Sequence, residues 1–401
     1  MRILFIAPRC PLPADTGGKI RTLNILKQVA RRCEVHFVYF AFEETDARQT
    51  EEFRRMNVAT TAVSVSETGL MGKAWSVIAD PMPYSTRKYL SRAMARAVEA
   101  LVRSQKFDFV HVDHIHMAHY RAQCADAPCL VDEHNVEYKI LERCALVEKS
   151  LLKRALYGLQ AAKMRRFEAR AIAGFQACAA VSEDDAALLR QLCRGEVPVY
   201  VIPNGVDTEY FQSEVRGQQP EEEALVFTGS MDWLPNDDAM AYFIQDILPL
   251  VWKARPSVKL YIVGKDPSEQ LRQWARQDSR IVVTGRVEDV RPFMDRAAVF
   301  ITPLRIGGGT RLKILEAMSM QKAVVSTTIG AEGIEYQDGV HLSVADSPEA
   351  FRDNILALLA DGKLRKFLGE QGRRLVVGKY DWNIVGEKLT KIYGELIHDK
   401  K

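Results

Sequence analysis

Residues 302–326, TPLRIGGGTRLKILEAMSMQKAVVS, bring three consecutive glycines, four basic residues and a glutamate into one short segment. Gly307, Gly308 and Gly309 carry no side chain to keep a ligand away, and their backbone freedom lets several N–H groups converge on one point. The helix that follows directs its unpaired N–H groups and positive dipole end to the same place. An anion suits that environment, a phosphate or pyrophosphate above all. At about 100° per residue, Lys313 and Glu316 share one helix face a turn apart. A cation beside the glycines fits phosphate oxygens, and a carboxylate further along fits a pair of sugar hydroxyls, so the segment reads as a nucleotide site. The competing reading is a solvated i,i+3 ion pair worth about 0.2–0.5 kcal/mol.

The elements that must position this segment alternate short apolar runs with longer amphipathic ones. Strands are expected at Ile3–Ala7, Val35–Phe40, Ala59–Val65, Phe109–Val112, Cys129–Val131, Ala177–Val181 and Val199–Ile202. A second series is expected at Leu225–Phe227, Lys259–Val263, Ile281–Thr284, Val299–Thr302 and Ala323–Ser326. Alternating βα units give parallel sheets with helices on both faces, so the fold class is α/β with two doubly wound Rossmann-like domains. The polar stretch Ser213–Glu223 lacks a hydrophobic period and separates them, giving domains at 1–212 and 213–379. Ligands in such sheets bind at the carboxyl ends of the strands, which places a cleft between facing domains.

The first strand feeds a second glycine loop, in which Gly17 and Gly18 precede an amphipathic helix containing Arg21. It too offers a helix N-terminus to a phosphate. It lacks the G-x-G-x-x-G spacing and the following acidic residue of a dinucleotide site, which argues against a nicotinamide or flavin enzyme.

Composition bounds the remaining classes. The chain has 401 residues, 47% hydrophobic and 27% charged, with a formal net charge of +3, which does not indicate a dedicated nucleic-acid binder. Its seven cysteines form no C-x-x-C pair and all precede residue 194, so a reducing compartment is expected. No signal peptide or bilayer-spanning apolar run is recognisable, and a cytoplasmic protein is expected, at most attached to a membrane surface.

The whole pattern resembles the retaining nucleotide-sugar-dependent glycosyltransferases of family 4, which have the GT-B architecture. The motifs that carry it run along nearly the entire chain: the Gly17-Gly18 loop, FDFVHVDH at 107–114, VDEHN at 131–135, VSEDD at 181–185 and VIPNGVD at 201–207. They continue with FTGSMDWLPN at 227–236, GRVEDVRPFMDRA at 285–297, GGGTRLKILEAM at 307–318 and YDW at 380–382. The nearest likeness is to members associated with bacterial exopolysaccharide and cell-surface glycan assembly. The resemblance implies a nucleoside-diphosphate sugar as donor, no bound cofactor or metal, a glycan or lipid-linked acceptor, and retention of anomeric configuration with the departing phosphate helping to deprotonate the acceptor. It also implies that a final helix at about 380–401 packs back on the first domain.

Carried over residue by residue, the resemblance gives Glu316 the ribose hydroxyls. Donor contacts fall to Gly17, Gly18, Arg21, Arg305, Gly307, Gly308, Gly309, Thr310, Arg311, Lys313 and Glu332. Asp113 and His114 would line the acceptor side, and Arg311 and Lys313 would oppose the charge of the leaving pyrophosphate. Two departures stand out. The family's first glutamate falls at Gly308, and its early basic pair is replaced by Ser230 and Asn236, so Arg305, Arg311 and Lys313 are expected to supply the missing charge.

Several residues have duller readings. His111, His114, His116 and His119 straddle a strand end and loop without the spacing of a metal site, and a solvated loop histidine competes with a cleft role for His114 and for His134. Glu332 sits in a turn bounded by Gly330 and Gly333, and Trp382 reads as an apolar anchor. Lys149, Lys153, Lys163, Arg166 and Arg170 fall within an arc of about 140° on one helix, either a solvated face or a contact for anionic lipid. Rival functions are a nucleotide-sugar epimerase of related fold and a non-catalytic nucleotide-sugar-binding subunit.

Overall fold

A computed structural model describes residues 1–42, 47–64, 80–124, 127–148, 150–213, 221–307 and 310–398. Gly308, Gly309 and Lys149 lie outside the described residues, as does most of the polar stretch at 213–223. The chain forms two compact units, one comprising Met1–Pro203 with Val385–Lys401 and the other Asn204–Ile384.

The first unit holds a seven-stranded parallel sheet: β1 (Arg2–Ala7), β2 (Glu34–Ala41), β3 (Val58–Ser64), β4 (Phe109–Asp113), β5 (Cys129–Glu133), β6 (Ala177–Ala180) and β7 (Val199–Val201), in the order β3-β2-β1-β4-β5-β6-β7. The second holds β8 (Glu221–Thr228), β9 (Lys259–Val263), β10 (Ile281–Gly285), β11 (Ala297–Thr302), β12 (Ala323–Ser326) and β13 (Ser343–Val344), in the order β10-β9-β8-β11-β12-β13. Central strands such as β1, β4 and β11 are buried along nearly their whole length because helices cover both faces, which is why they read as continuous apolar runs. The direction of winding reverses between β1 and β4 and again between β8 and β11. At each reversal the connections leave toward opposite faces and open a crevice beyond the strand ends.

The division between units falls at Pro203/Asn204, earlier than the expected 212/213. The reason is that residues 206–211 are held by second-unit partners: Val206 bridges Asp381, and Phe211 O accepts a 2.6 Å hydrogen bond from Ser319 Oγ. Trp382 is 4% exposed and lies so close to Gly205 that a Cβ there would stand 2.6 Å from its ring. The final helix, Trp382–His398, passes into the first unit from Val385, where Tyr393 Oη lies 2.6 Å from His111 Nδ1. Among the described residues no helix is long and apolar enough to cross a membrane.

Candidate functional site

In the second unit the site grows from β11 and the helix Leu312–Ser319, which packs Ile314, Leu315, Ala317 and Met318 inward and so turns Lys313 and Glu316 to the other face. No side chain caps the start of this helix, leaving its first N–H groups for another acceptor. Lys313 does not bond Glu316. Its Nζ donates to Asn236 Oδ1 at 2.9 Å and stands 3.8 Å above the centre of the Phe227 ring. Asn236 is held in turn by its Nδ2, which donates to Ser230 O at 2.7 Å. Gly229 makes room for this contact: a Cβ at that position would lie 2.7 Å from Lys313 Nζ.

Burial draws the Lys313 ammonium down to about 7, with the Arg311 charge adding to the effect and Glu316 opposing it. Burial likewise pushes the Glu316 carboxyl up to about 7, partly offset by Lys313. A cation and an anion on one helix face, each pushed toward neutrality by desolvation, form an environment that a polar, charged ligand would relieve.

The other expected donor residues divide. Arg311 and Glu332 are brought together at 3.8 Å, and Arg311 Nη2 also reaches Ile329 O at 3.4 Å. Gly307, at φ +151°, leaves the space a Cβ would need to the Arg311 guanidinium. Thr310 is 7% exposed and donates its hydroxyl to Gly333 O at 3.2 Å, so it fastens the turn that carries Glu332 and does not present its hydroxyl to a ligand. Arg305 donates two hydrogen bonds, of 2.6 and 3.1 Å, to Asp238 and lies over the Tyr242 ring, so its charge is already paired within the protein.

The first unit treats its charges differently. The helix Gly17–Ala30 follows the loop after β1, as expected, with Gly17 and Gly18 exposed at its start. Arg21, expected at a phosphate, is instead 1% exposed. It donates to Asp132 from Nε at 3.1 Å and Nη2 at 2.7 Å, and to the carbonyls of Ile202 and Pro203 at 2.9 and 3.1 Å. A guanidinium so enclosed ties β5 to the end of β7 and has no direction left for a ligand.

Asp113, expected to face an acceptor, is fully buried, with Oδ2 accepting from Thr22 Oγ1 at 2.7 Å and Oδ1 from His134 Nε2 at 2.9 Å. It can act only through His134. His114 adopts φ +78° at the strand end, and its ring stacks on His116 with centres 4.5 Å apart. Burial, reinforced by the neighbouring imidazoles, holds its basicity well below the ordinary value, so it is neutral at physiological pH. Among the described residues two clusters bring potential metal ligands within 4.8 Å of one another: His114, His116 and Glu137, and His111, Asp113 and Asp132. In the second, the carboxylates are engaged by Thr22, His134 and Arg21; in the first, the rings of His114 and His116 are stacked on one another.

Sequence reasoning missed Asn236, Gly229 and Phe227 as the setting of Lys313. The available signal was a glycine at the end of β8, which flanks the same crevice as the loop after β11.

Residues 16–210 match the family described as Glycosyltransferase Family 4, and residues 222–361 match the one described as Glycosyl transferases group 1. An "Uncharacterized 44.6 kDa protein in cps region" of Klebsiella pneumoniae is 21% identical over 88% of this chain and 90% of its own length. A phosphatidyl-myo-inositol mannosyltransferase of Mycobacterium leprae is 30% identical over 48% of this chain and 52% of its own. Sucrose-phosphate synthase from Thermosynechococcus elongatus superposes with a TM-score of 0.73 over 100% of both chains at 16% identity. Anabaena HepE, in complex with UDP and glucose, does so at 0.67 over 98% and 99% of the two chains at 14% identity. With two such matches in sequence over its two halves and two parallel-sheet units of the GT-B kind, the chain belongs to the glycosyltransferases of family 4.

Proposed function

We propose that this glycosyltransferase moves a sugar from a nucleoside-diphosphate sugar to a glycan or lipid-linked acceptor, with retention of configuration, in the assembly of a surface polysaccharide. The observation that carries the donor assignment is the helix Leu312–Ser319: an uncapped N-terminus at the crevice between β8 and β11, with Lys313 and Glu316 on one face and each drawn to about 7 by burial. Glu316 takes the ribose hydroxyls, Lys313 takes a diphosphate oxygen, and Arg311, beside Glu332, adds the second positive charge. A leaving pyrophosphate needs such charge stabilisation more than a side-chain base, so no glycosidase-like carboxylate pair is required. In the first unit His134, oriented by Asp113, is the strand-end group best placed to meet an acceptor hydroxyl, because Asp113 itself is enclosed.

The complex of HepE with UDP and glucose supports the donor class, and the Klebsiella relative's place in a cps region supports the surface-polysaccharide setting. The mannosyltransferase named for phosphatidyl-myo-inositol supports a lipid-linked acceptor. One feature favours a second reading: Gly308 stands where the family has a glutamate against the transferred sugar, as it would in a subunit that binds donor without turning it over. Thermal-shift screening against nucleoside diphosphates and their sugars, followed by slow donor hydrolysis with the best ligand, separates the two. Stabilisation with hydrolysis supports transfer, stabilisation without it supports the binding subunit, and no stabilisation by any nucleotide overturns both.

A further inference from the structure

The helices Glu137–Val147 and Leu151–Ile172 form a hairpin with exposed leucines on both sides of its turn. Leu146, Leu151 and Leu152 are 73%, 79% and 82% exposed, and Leu156 and Leu159 are more than a third exposed. Spaced seven and four apart, Leu152, Leu159, Arg166 and Arg170 lie along a single stripe of the longer helix, so the leucines of its first half pass directly into arginines in its second. All four are exposed. The helix shows no acid to solvent: its one carboxylate, Glu168, is fully buried and accepts from the backbone N–H groups of Glu137 and Tyr138. Its exposed charges, Lys153, Arg154, Arg165, Arg166 and Arg170, are all positive. Lys163, expected on the basic arc from the sequence, is 8% exposed and does not contribute.

We propose that this hairpin docks on an anionic lipid bilayer, with the exposed leucines entering the acyl boundary and the arginine stripe meeting the headgroups. The spacing fits that occupant. From Leu152 to Arg166 the helix rises about 21 Å, so leucines and arginines of the one stripe reach the interface together when the helix lies along the surface with its apolar residues about 5–10 Å deep. Lys153 and Arg154, near the tip, are long enough to extend their charges back to the headgroup level. The inference stands apart from the nucleotide assignment, since none of these residues belongs to the donor site.

The test is co-sedimentation with vesicles of phosphatidylcholine alone or mixed with phosphatidylglycerol, at about 0.1 M and about 1 M salt. Wild-type protein should partition onto the mixed vesicles and release as salt rises. The Leu151→Ser/Leu152→Ser variant should partition about 10-fold less at either salt. Arg166→Glu/Arg170→Glu should lose about 10-fold or more at low salt and respond little to further salt. Both variants should keep the wild-type melting temperature and nucleoside-diphosphate stabilisation, which separates a failure of this proposal from a failure of the donor assignment. Absence of wild-type binding to the mixed vesicles, or wild-type partitioning by both variants, overturns the proposal. So does light scattering that finds a wild-type dimer converted to monomer by the leucine substitutions, because a second copy would then be the occupant.

Discussion

The two crevices of this protein are built alike and charged alike in sequence, yet the structure uses their charges in opposite ways. Each follows a parallel strand at a reversal of winding, with a glycine loop, a helix and a basic residue in its first turns. In the first unit Arg21 is enclosed by Asp132 and two carbonyls, while Thr22 and His134 occupy both oxygens of Asp113. In the second, Lys313 has one asparagine oxygen and an aromatic face, and Glu316 stands a turn away with its charge disfavoured by burial. A satisfied buried charge network fixes structure, whereas a desolvated and incompletely matched one stores free energy that a ligand can release. The contrast is the basis for proposing scaffolding for one set of charges and donor recognition for the other.

The contrast is most severely tested where the scaffolding charges are removed. Arg21→Ala strands Asp132 in a buried site and should cost about 3–5 kcal/mol of stability, read as a fall in the urea midpoint. A loss below about 1 kcal/mol would mean that Arg21 is not the tie the geometry indicates. Glu316→Ala should leave the fold intact and weaken nucleoside-diphosphate binding by roughly 10- to 100-fold, measured by calorimetric titration, because a charge-assisted hydrogen-bond partner typically contributes about 1.5–3 kcal/mol. Lys313→Ala should weaken the diphosphate and the sugar nucleotide but leave the bare nucleoside nearly unchanged, and equal losses for all three ligands would remove its pyrophosphate role. The smallest effect is expected from Asn236→Ala, which frees the Lys313 ammonium without removing it. It should shift the pH dependence of diphosphate binding more than it lowers the affinity at its optimum, whereas an unchanged pH profile would show that Asn236 does not position the lysine.

Much of this contrast was invisible in the sequence, for a physical reason. Strands were legible because parallel strands buried on both faces must be apolar throughout. Among the described residues only β13 was overlooked, being two residues long with no run to detect. The glycine loops and helix starts were legible from residue type alone. What the linear sequence did not carry was which charge would meet which partner: Arg21 and Asp132 are 111 positions apart, and Arg305 and Asp238 are 67 apart, so their mutual neutralisation depends on tertiary packing. The same holds for Asn236 and Lys313, 77 apart, which is why an asparagine that looked like the absence of a basic residue proves to hold one. The polar stretch at 213–223 misplaced the division between units because residues just before it are bonded into the second unit.

If Glu316 is held at a cost to the ligand-free fold for the sake of the nucleotide, one substitution reads both halves. Burial raises the folded-state value from 4.5 to about 7, so the carboxyl favours folding below its unfolded value and loses that advantage as pH rises through about 7. Above that pH the ionised group carries a penalty, which Glu316→Gln removes. Melting wild-type and Glu316→Gln protein at pH 8, with and without the nucleoside diphosphate that stabilises wild type most, should give the variant the higher ligand-free melting temperature and the smaller ligand-induced rise. The difference in ligand-free stability should amount to about 1–3 kcal/mol and should close below about pH 5. A variant no more stable than wild type at pH 8 and stabilised equally by the nucleotide would contradict the account.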